Sequence, residues 1–367
     1  MDYIEQQQLT IPVVQVYLAI EEQLLINVAK KLKRDKSLLT EADIQSWQSR
    51  KLAELGSLSQ QNIITISKHS GLAIDEISQI LHKAGYSTVG QFEDDLQEAV
   101  RQGKAIQAPP IATSTALEGV LLSYQRRARD TFNLVNTTLL NQSQQIYLDI
   151  INQTVGSLLT GNLTPQEALR QVVRQWADKG VPALIDKAGK RWSTEAYVSM
   201  IARTASTQVA NDMQMSRFDE YGVDLVEISS HAACRTTHIP FQGNIYSRSG
   251  ASDRYPPLSD TGYGTIEGIG GINCRHIVYP YIEGVSVKRF HPYDATESKI
   301  AYTNSQKQRY LERRIRQAKK ERSMMEGMGD DEGVQQANKK IRDRQATMRD
   351  FIDETNRTRR YNREAIR

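Results

Sequence analysis

His231-Ala232-Ala233-Cys234-Arg235-Thr236-Thr237-His238 and, beyond a 35-residue loop, Cys274-Arg275-His276 together contain both cysteines of a 367-residue chain and three of its six histidines. A cysteine followed four residues later by a histidine, and matched by a second Cys and His pair, can supply two thiolates and two imidazoles to one Zn²⁺. Cys234, His238, Cys274 and His276 are therefore the candidate metal ligands. A second reading stays open beside it: both cysteines are small buried side chains, and the histidines are satisfied by backbone hydrogen bonds. A Cys-x-His pair puts both side chains on one side of a strand, so Cys274 and His276 would have to converge on a single ion.

Outward from this stretch, Val223, Leu225 and Ile228 alternate with Asp224, Glu227 and Ser229 in a period of two, which predicts a strand. The residues after it are rich in Gly and Pro, with Pro256 and Pro257 adjacent, and poor in large apolar side chains. A module of this kind, taken as 223–291, needs a tertiary anchor. Cys234 and Cys274 are expected to lie close together whether or not a metal joins them.

Upstream the spacing is helical. Val13, Val16, Tyr17, Ile20, Leu24, Val28 and Leu32 step by three or four, and a second helical region covers about Glu41 to Leu55. Short apolar clusters around Gly71 and Gly85 then read as a bundle of short helices, with a helix-turn-helix as one reading of the Gly71 region. Ala105 to Pro110 breaks the pattern. Leu117 to Ala128 and Tyr147 to Leu158 form further helical stripes. Thr164-Pro165-Gln166-Glu167 is a capping box with proline at the first helical position, and Ser193 caps a long helix that Gly222 ends. Downstream of His291, Leu311, Ile315 and Ala318 share one helical face, and Val334, Ala337, Ile341, Met348 and Ile352 recur at nearly heptad spacing.

The fold class that follows is mainly α-helical, with a small β-containing (α+β) C-terminal module and long C-terminal helices. The expected segments are an N-terminal helical domain (1–104), a linker (105–113), a helical domain (114–222), the Cys/His module (223–291) and a basic helical tail (292–367).

Composition narrows the function. Lys and Arg number 47 against 43 Asp and Glu, and the net charge of +4 is too small to define a nucleic-acid-binding protein. The last 67 residues nonetheless hold 18 cations against 11 anions, so the tail is basic and the body slightly acidic. Within it Arg313, Arg314, Arg316, Lys319, Lys320 and Arg322 face only Glu321. Together with Arg309 they are the candidate polyanion-binding residues, on a helix expected over Ser305–Arg322, and they carry no base-specific code. Two cysteines make no disulfide framework, and Met1 to Glu5 lacks the start of a signal peptide, so synthesis in the cytoplasm follows. Apolar stretches such as Val13 to Ile20 fall short of a membrane span.

The order of "SSHAACRTTHIPFQGNIYS", a loop with paired prolines, "GIGGINCRHIVYPYIEG" and "NSQKQRYLERRIRQAKKE" resembles the phage minor capsid protein 2 family, most clearly over residues 190–322. It is more distantly similar to the Mu F type of head-morphogenesis proteins. Cys234, His238, Cys274, Arg275 and His276 match the family motif, with Arg235 and Asn273 beside them as fold-defining residues. His276 stands where the Mu F pattern has a second terminal Cys. The resemblance implies a virion structural component of the phage head, made in the host cytoplasm. It would be present in few copies, associated with the portal protein and other capsid proteins, and in contact with packaged DNA.

A catalytic alternative competes. His231, His238 and His276 beside Asp253, Asp260 and Glu267 could form a metal-dependent hydrolase or nuclease site with an open coordination position, or Cys234 could be a nucleophile with His238 as its base. The sequence contains neither a Gly-rich phosphate loop nor a Ser-centred elbow. The reading adopted is a structural protein and not a catalyst.

Overall fold

The computed structural model describes Glu5, residues 8–159 and residues 163–366. Met1 to Ile4, on which the reading of the N-terminus partly rested, lie outside the described residues. The chain is mostly helical. Helix α1 (Ile11–Lys33) buries Val13, Tyr17, Ile20, Leu24, Val28 and Leu32, the stripe that the spacing picks out, and α2 spans Ile44–Ala53. The first of these is long and apolar enough to cross a membrane. Its buried Glu21, Asn27 and Lys31 mark it instead as a core helix with specific polar partners.

Helix α3 (Leu55–Gly90) corrects the expected bundle of short helices, because it runs unbroken through both Gly71 and Gly85. Glycine inside a helix costs only about 1 kcal/mol relative to alanine, which tertiary packing readily offsets. At Gly85 the reason is close approach: a Cβ there would lie 2.1 Å from Met213 Sδ. The helix-turn-helix reading falls with the same observation. After α4 (Glu93–Arg101) the chain is non-helical through Pro110, and then α5 (Thr115–Leu159) joins the two expected stripes into one helix through Phe132, Val135 and Leu139.

Helix α6 (Pro165–Lys179) starts at the full Thr164 to Glu167 capping box. A hairpin that the sequence reading did not anticipate follows, β1 (Pro182–Ile185) paired antiparallel with β2 (Arg191–Ser193). Helix α7 (Thr194–Tyr221) begins where Ser193 Oγ accepts the Ala196 N–H and ends at Gly222, whose φ of 67° suits a residue without a Cβ. Strand β3 (Leu225–Ile228) is then the centre of a three-stranded antiparallel sheet, between β4 (Ile245–Ser247) and β5 (Val278–Pro280). Two long helices close the chain, α8 (Ala295–Met328) and α9 (Asp331–Thr355), separated at Gly329 and Asp330.

Packing divides the chain into two units, each assembled from three stretches of sequence. One comprises 1–13, 74–131 and 199–305; the other comprises 14–73, 132–198 and 306–367. In the first, the sheet residues Val226, Ile228, Tyr246 and Val278 pack with Leu96, Phe218 and Tyr221. In the second, Leu311, Ile315, Met348 and Phe351 form one cluster, and a buried polar seam runs from Asn27 through Asn62 to Ser143. Such a seam fixes which helix faces which, since a shifted register would leave amides unpaired.

Candidate metal centre

The site lies in the first unit and is built almost entirely from loops, so its precision has to come from hydrogen bonds. The polar face of α7 supplies them. Thr204 Oγ1 accepts the Asn273 N–H at 3.0 Å, Arg203 donates to Asn273 Oδ1 at 2.9 Å, and the Thr207 hydroxyl donates to the Cys274 carbonyl at 3.0 Å. Asn211 then brackets the next residues, donating to the His276 carbonyl at 3.1 Å and accepting the Val278 N–H at 3.0 Å. Asn273 takes a left-handed backbone (φ 59°) that asparagine tolerates better than most side chains. The reading of the sequence did not single out these α7 residues as part of the site. Polar residues at Arg203, Thr207 and Asn211, four positions apart along one face of the helix, were the available signal.

The loop 262–272 closes over the site. Arg235 donates to the Ile272 carbonyl at 3.1 Å, and the Gly271 carbonyl accepts the Cys274 N–H at 3.1 Å. A Cβ on Gly271 would meet the Thr265 carbonyl oxygen at 2.2 Å, so this turn requires glycine for space.

Three side chains converge. His238, Cys274 and His276 are buried, and their ligand atoms all lie within 4.8 Å of one another. Cys274 Sγ is 3.4 Å from His276 Nδ1 and 3.8 Å from His238 Nδ1. Tetrahedral zinc, with Zn–S of about 2.3 Å and Zn–N of about 2.0 Å, sets its ligands about 3.5 Å apart. The group can hold a metal ion with little movement.

The hydrogen bonds also decide which ring nitrogens are free to do so. His238 Nε2 lies 2.8 Å from the Glu267 carbonyl oxygen, an atom that only accepts, so the proton sits on Nε2 and the Nδ1 lone pair faces the thiol. Gln242 sets the other ring by the same logic. Its Oε1 accepts the His231 N–H at 3.0 Å, which fixes the orientation of the amide, and the same oxygen lies 3.4 Å from His276 Nε2. Both imidazoles therefore turn an unprotonated Nδ1 toward one sulfur, with outer partners of the kind that orient metal-binding histidines.

Electrostatics agree. Burial, reinforced by Arg275 and His238, lowers the His231 pKa to about 3, and burial likewise lowers those of His238 and His276. Burial raises the Cys274 thiol, and raises Cys234 to about 11 with a contribution from neighbouring Cys274. The cluster is neutral at pH 7 until a cation displaces the thiol proton.

Cys234 is buried and near enough to Cys274 to feel its charge, but it is not among the three that converge. His231 stacks on His276 with ring centroids 4.6 Å apart. Among the described residues the converging group includes no carboxylate; Asp253, Asp260 and Glu267 are exposed, and Glu267 contributes its carbonyl.

The sequence matches the family described as phage minor capsid protein 2 over residues 3–353. The chain belongs to that family. A relative described as a structural protein, from Lactococcus phage LL-H, is 32% identical over 356 residues, covering 93% of this chain and 94% of the relative. A second structural protein, from Lactococcus phage mv4, is 39% identical over 114 residues, or 31% of this chain and 93% of that relative. No solved structure matches the chain significantly. The minor capsid family places the protein in the virion as a structural component.

The second candidate site, on α8, is distributed differently. The helix forms over the expected Ser305–Arg322, but Arg316 pairs with Glu195 and is buried, and Lys320 meets Glu21 at 2.5 Å in the core of the second unit. Lys319 donates to the Glu364 carbonyl, and Arg322 pairs with Glu326. Arg309 and Arg314 are half-buried, and Arg313 is exposed. Arg314 donates to Gln317 at 3.4 Å and Arg313 lies over the Tyr310 ring, so these cations are largely engaged within the unit, because the stripe next to the apolar face of a packed helix is itself half inside.

Proposed function

We propose that this minor capsid protein is a low-copy structural component of the phage head, bound at the portal and to other capsid proteins, in contact with packaged DNA and without catalytic turnover. Family membership across residues 3–353 carries the reading, supported by relatives described as structural proteins. The Cys/His cluster acts in it as a structural zinc site. His238, Cys274 and His276 are the ligands, with Cys234 as the nearest candidate for a fourth. Zinc there would tie together the loops that carry His238, Cys274 and His276, in addition to the apolar cluster on the sheet. A buried donor set without a converging carboxylate favours this over a hydrolase, which needs an open position and a base beside it.

Mass spectrometry of purified heads and procapsids tests the structural role, and metal analysis of the purified protein tests the site. The expected results are a few copies per head co-purifying with portal protein, and about one zinc per chain that is lost in Cys274→Ser. Absence from both particles would sink the assembly reading. Metal-dependent cleavage of DNA or peptide abolished by His238→Ala would promote the enzyme.

A further inference from the structure

A second group of cations without ion pairs in the second unit lies away from α8. The β1–β2 hairpin carries Lys187, Lys190 and Arg191, and the last turn of α6 carries Lys179; all four are exposed. None forms an ion pair among the described residues. The hairpin's own acid, Asp186, is oriented by the turn and offsets part of the Lys190 charge. Asp186 Oδ1 accepts the Ala188 and Lys190 N–H groups at 3.0 and 2.9 Å, and its Oδ2 accepts Trp192 Nε1 at 3.1 Å. The neighbouring Asp178 is turned to Arg344, 3.9 Å away.

Two of these cations, from different elements, are brought onto one ring. Lys179 Nζ lies 4.9 Å and the Arg191 guanidinium 5.4 Å from the centroid of Trp176, while Lys190 Nζ lies 4.5 Å from that of Trp192. The ring attracts each cation, while the two positive charges repel one another and so favour an anion bound beside both. The turn that presents them is stiff, with the Gly189 N–H on the Asp186 carbonyl at 2.9 Å and the Asp186 N–H on the Lys190 carbonyl at 3.1 Å.

We infer that the β1–β2 hairpin, with Lys179, is a sequence-independent binding site for the phosphate backbone of duplex DNA. The choice of DNA over an acidic protein rests on the proposed place of the protein in the head and on charge: four exposed cations without ion pairs suit a regular array of phosphates. Contacts of this type fix position without reading bases.

The test uses the full-length protein and a short duplex of arbitrary sequence, with affinity measured by fluorescence anisotropy across a salt series. The variants are Lys187→Gln/Lys190→Gln/Arg191→Gln and, as a control on α8, Arg313→Gln. Each lost phosphate contact removes about 0.9 from the slope of log affinity against log salt, so the triple variant should lower it by about 2 to 3 and weaken binding by at least roughly tenfold near 0.1 M salt. Arg313→Gln should change it by no more than one contact, and the melting temperature of the triple variant should match the parent. No DNA binding by the parent, or unchanged affinity and slope in the triple variant, overturns the site. So does a triple variant that binds DNA normally but no longer co-purifies with capsid proteins, since that would make the hairpin a protein contact. Absence of the protein from heads would overturn the assembly reading while leaving the binding measurement intact.

Discussion

Gln242 has no chemistry of its own, yet two buried donors depend on its single oxygen. Replacing it with Leu leaves the His231 N–H and the His276 Nε2–H without that acceptor, which costs about 2 kcal/mol at a buried site. The expected outcome is faster amide exchange across 223–291 and zinc affinity reduced by about 10- to 100-fold, the usual effect of losing a partner that orients a metal-bound histidine. Metal titration with hydrogen–deuterium exchange checks both; unchanged zinc affinity would mean that His276 is held by its neighbours alone. The cysteines and histidines were legible in the sequence because their residue types are rare and their spacing is regular. Gln242 was not, since a glutamine in a polar loop looks like any other until the fold shows what its oxygen faces.

Asp330 carries the corresponding weight for an element. It caps α9, accepting the Gly333 N–H, while its carboxylate receives Arg170 at 2.6 and 2.8 Å from α6. Burial opposes its ionisation, but Arg170 and the Gly333 N–H outweigh that and hold its pKa below the usual value. Because the folded pKa is depressed, the stabilisation is complete above the unfolded value of about 3.9 and is lost as pH falls below it. Asp330→Ala should cost about 2 kcal/mol near neutral pH, limited by the Glu332 carboxylate that Arg170 keeps at 2.9 Å. Asp330→Asn, which can still cap, should cost about half as much. Thermal melts from pH 7 down to pH 2.5 should show parent and Asp330→Asn converging only at the acid end; a gap that persists there would place the effect in packing. Helices with strong periodicity and caps were readable in advance, as the Thr164 box shows. Gly71 and Gly85 misled because glycine reports local backbone cost, whereas α3 is held by distant partners such as Met213. The β1–β2 hairpin escaped notice because its strands are too short to show a period of two.

At the scale of the whole molecule, each unit takes one stretch from residues 1–73, one from 74–198 and one from beyond residue 198. A linear segmentation by composition therefore describes where the sequence changes character and not which segments pack together. A chain ending at Ser305 keeps all three stretches of the first unit and deprives the second of α9 and most of α8. The expected result is protease sensitivity across 14–73 and 132–198, with 74–131 and 199–305 protected; protection of all four stretches would show that 306–367 is dispensable. The Glu21 to Lys320 pair shows why such a loss would spread, since it spans 299 residues and leaves a buried carboxylate without its cation when broken. The same span sets a timetable during synthesis. At about 5 to 20 residues per second, Glu21 is made roughly 15 to 60 s before Lys320. Late in that interval α1 has its partners on α3 and α5 already made but carries a buried carboxylate whose cation does not yet exist, which makes its final docking a late step of folding.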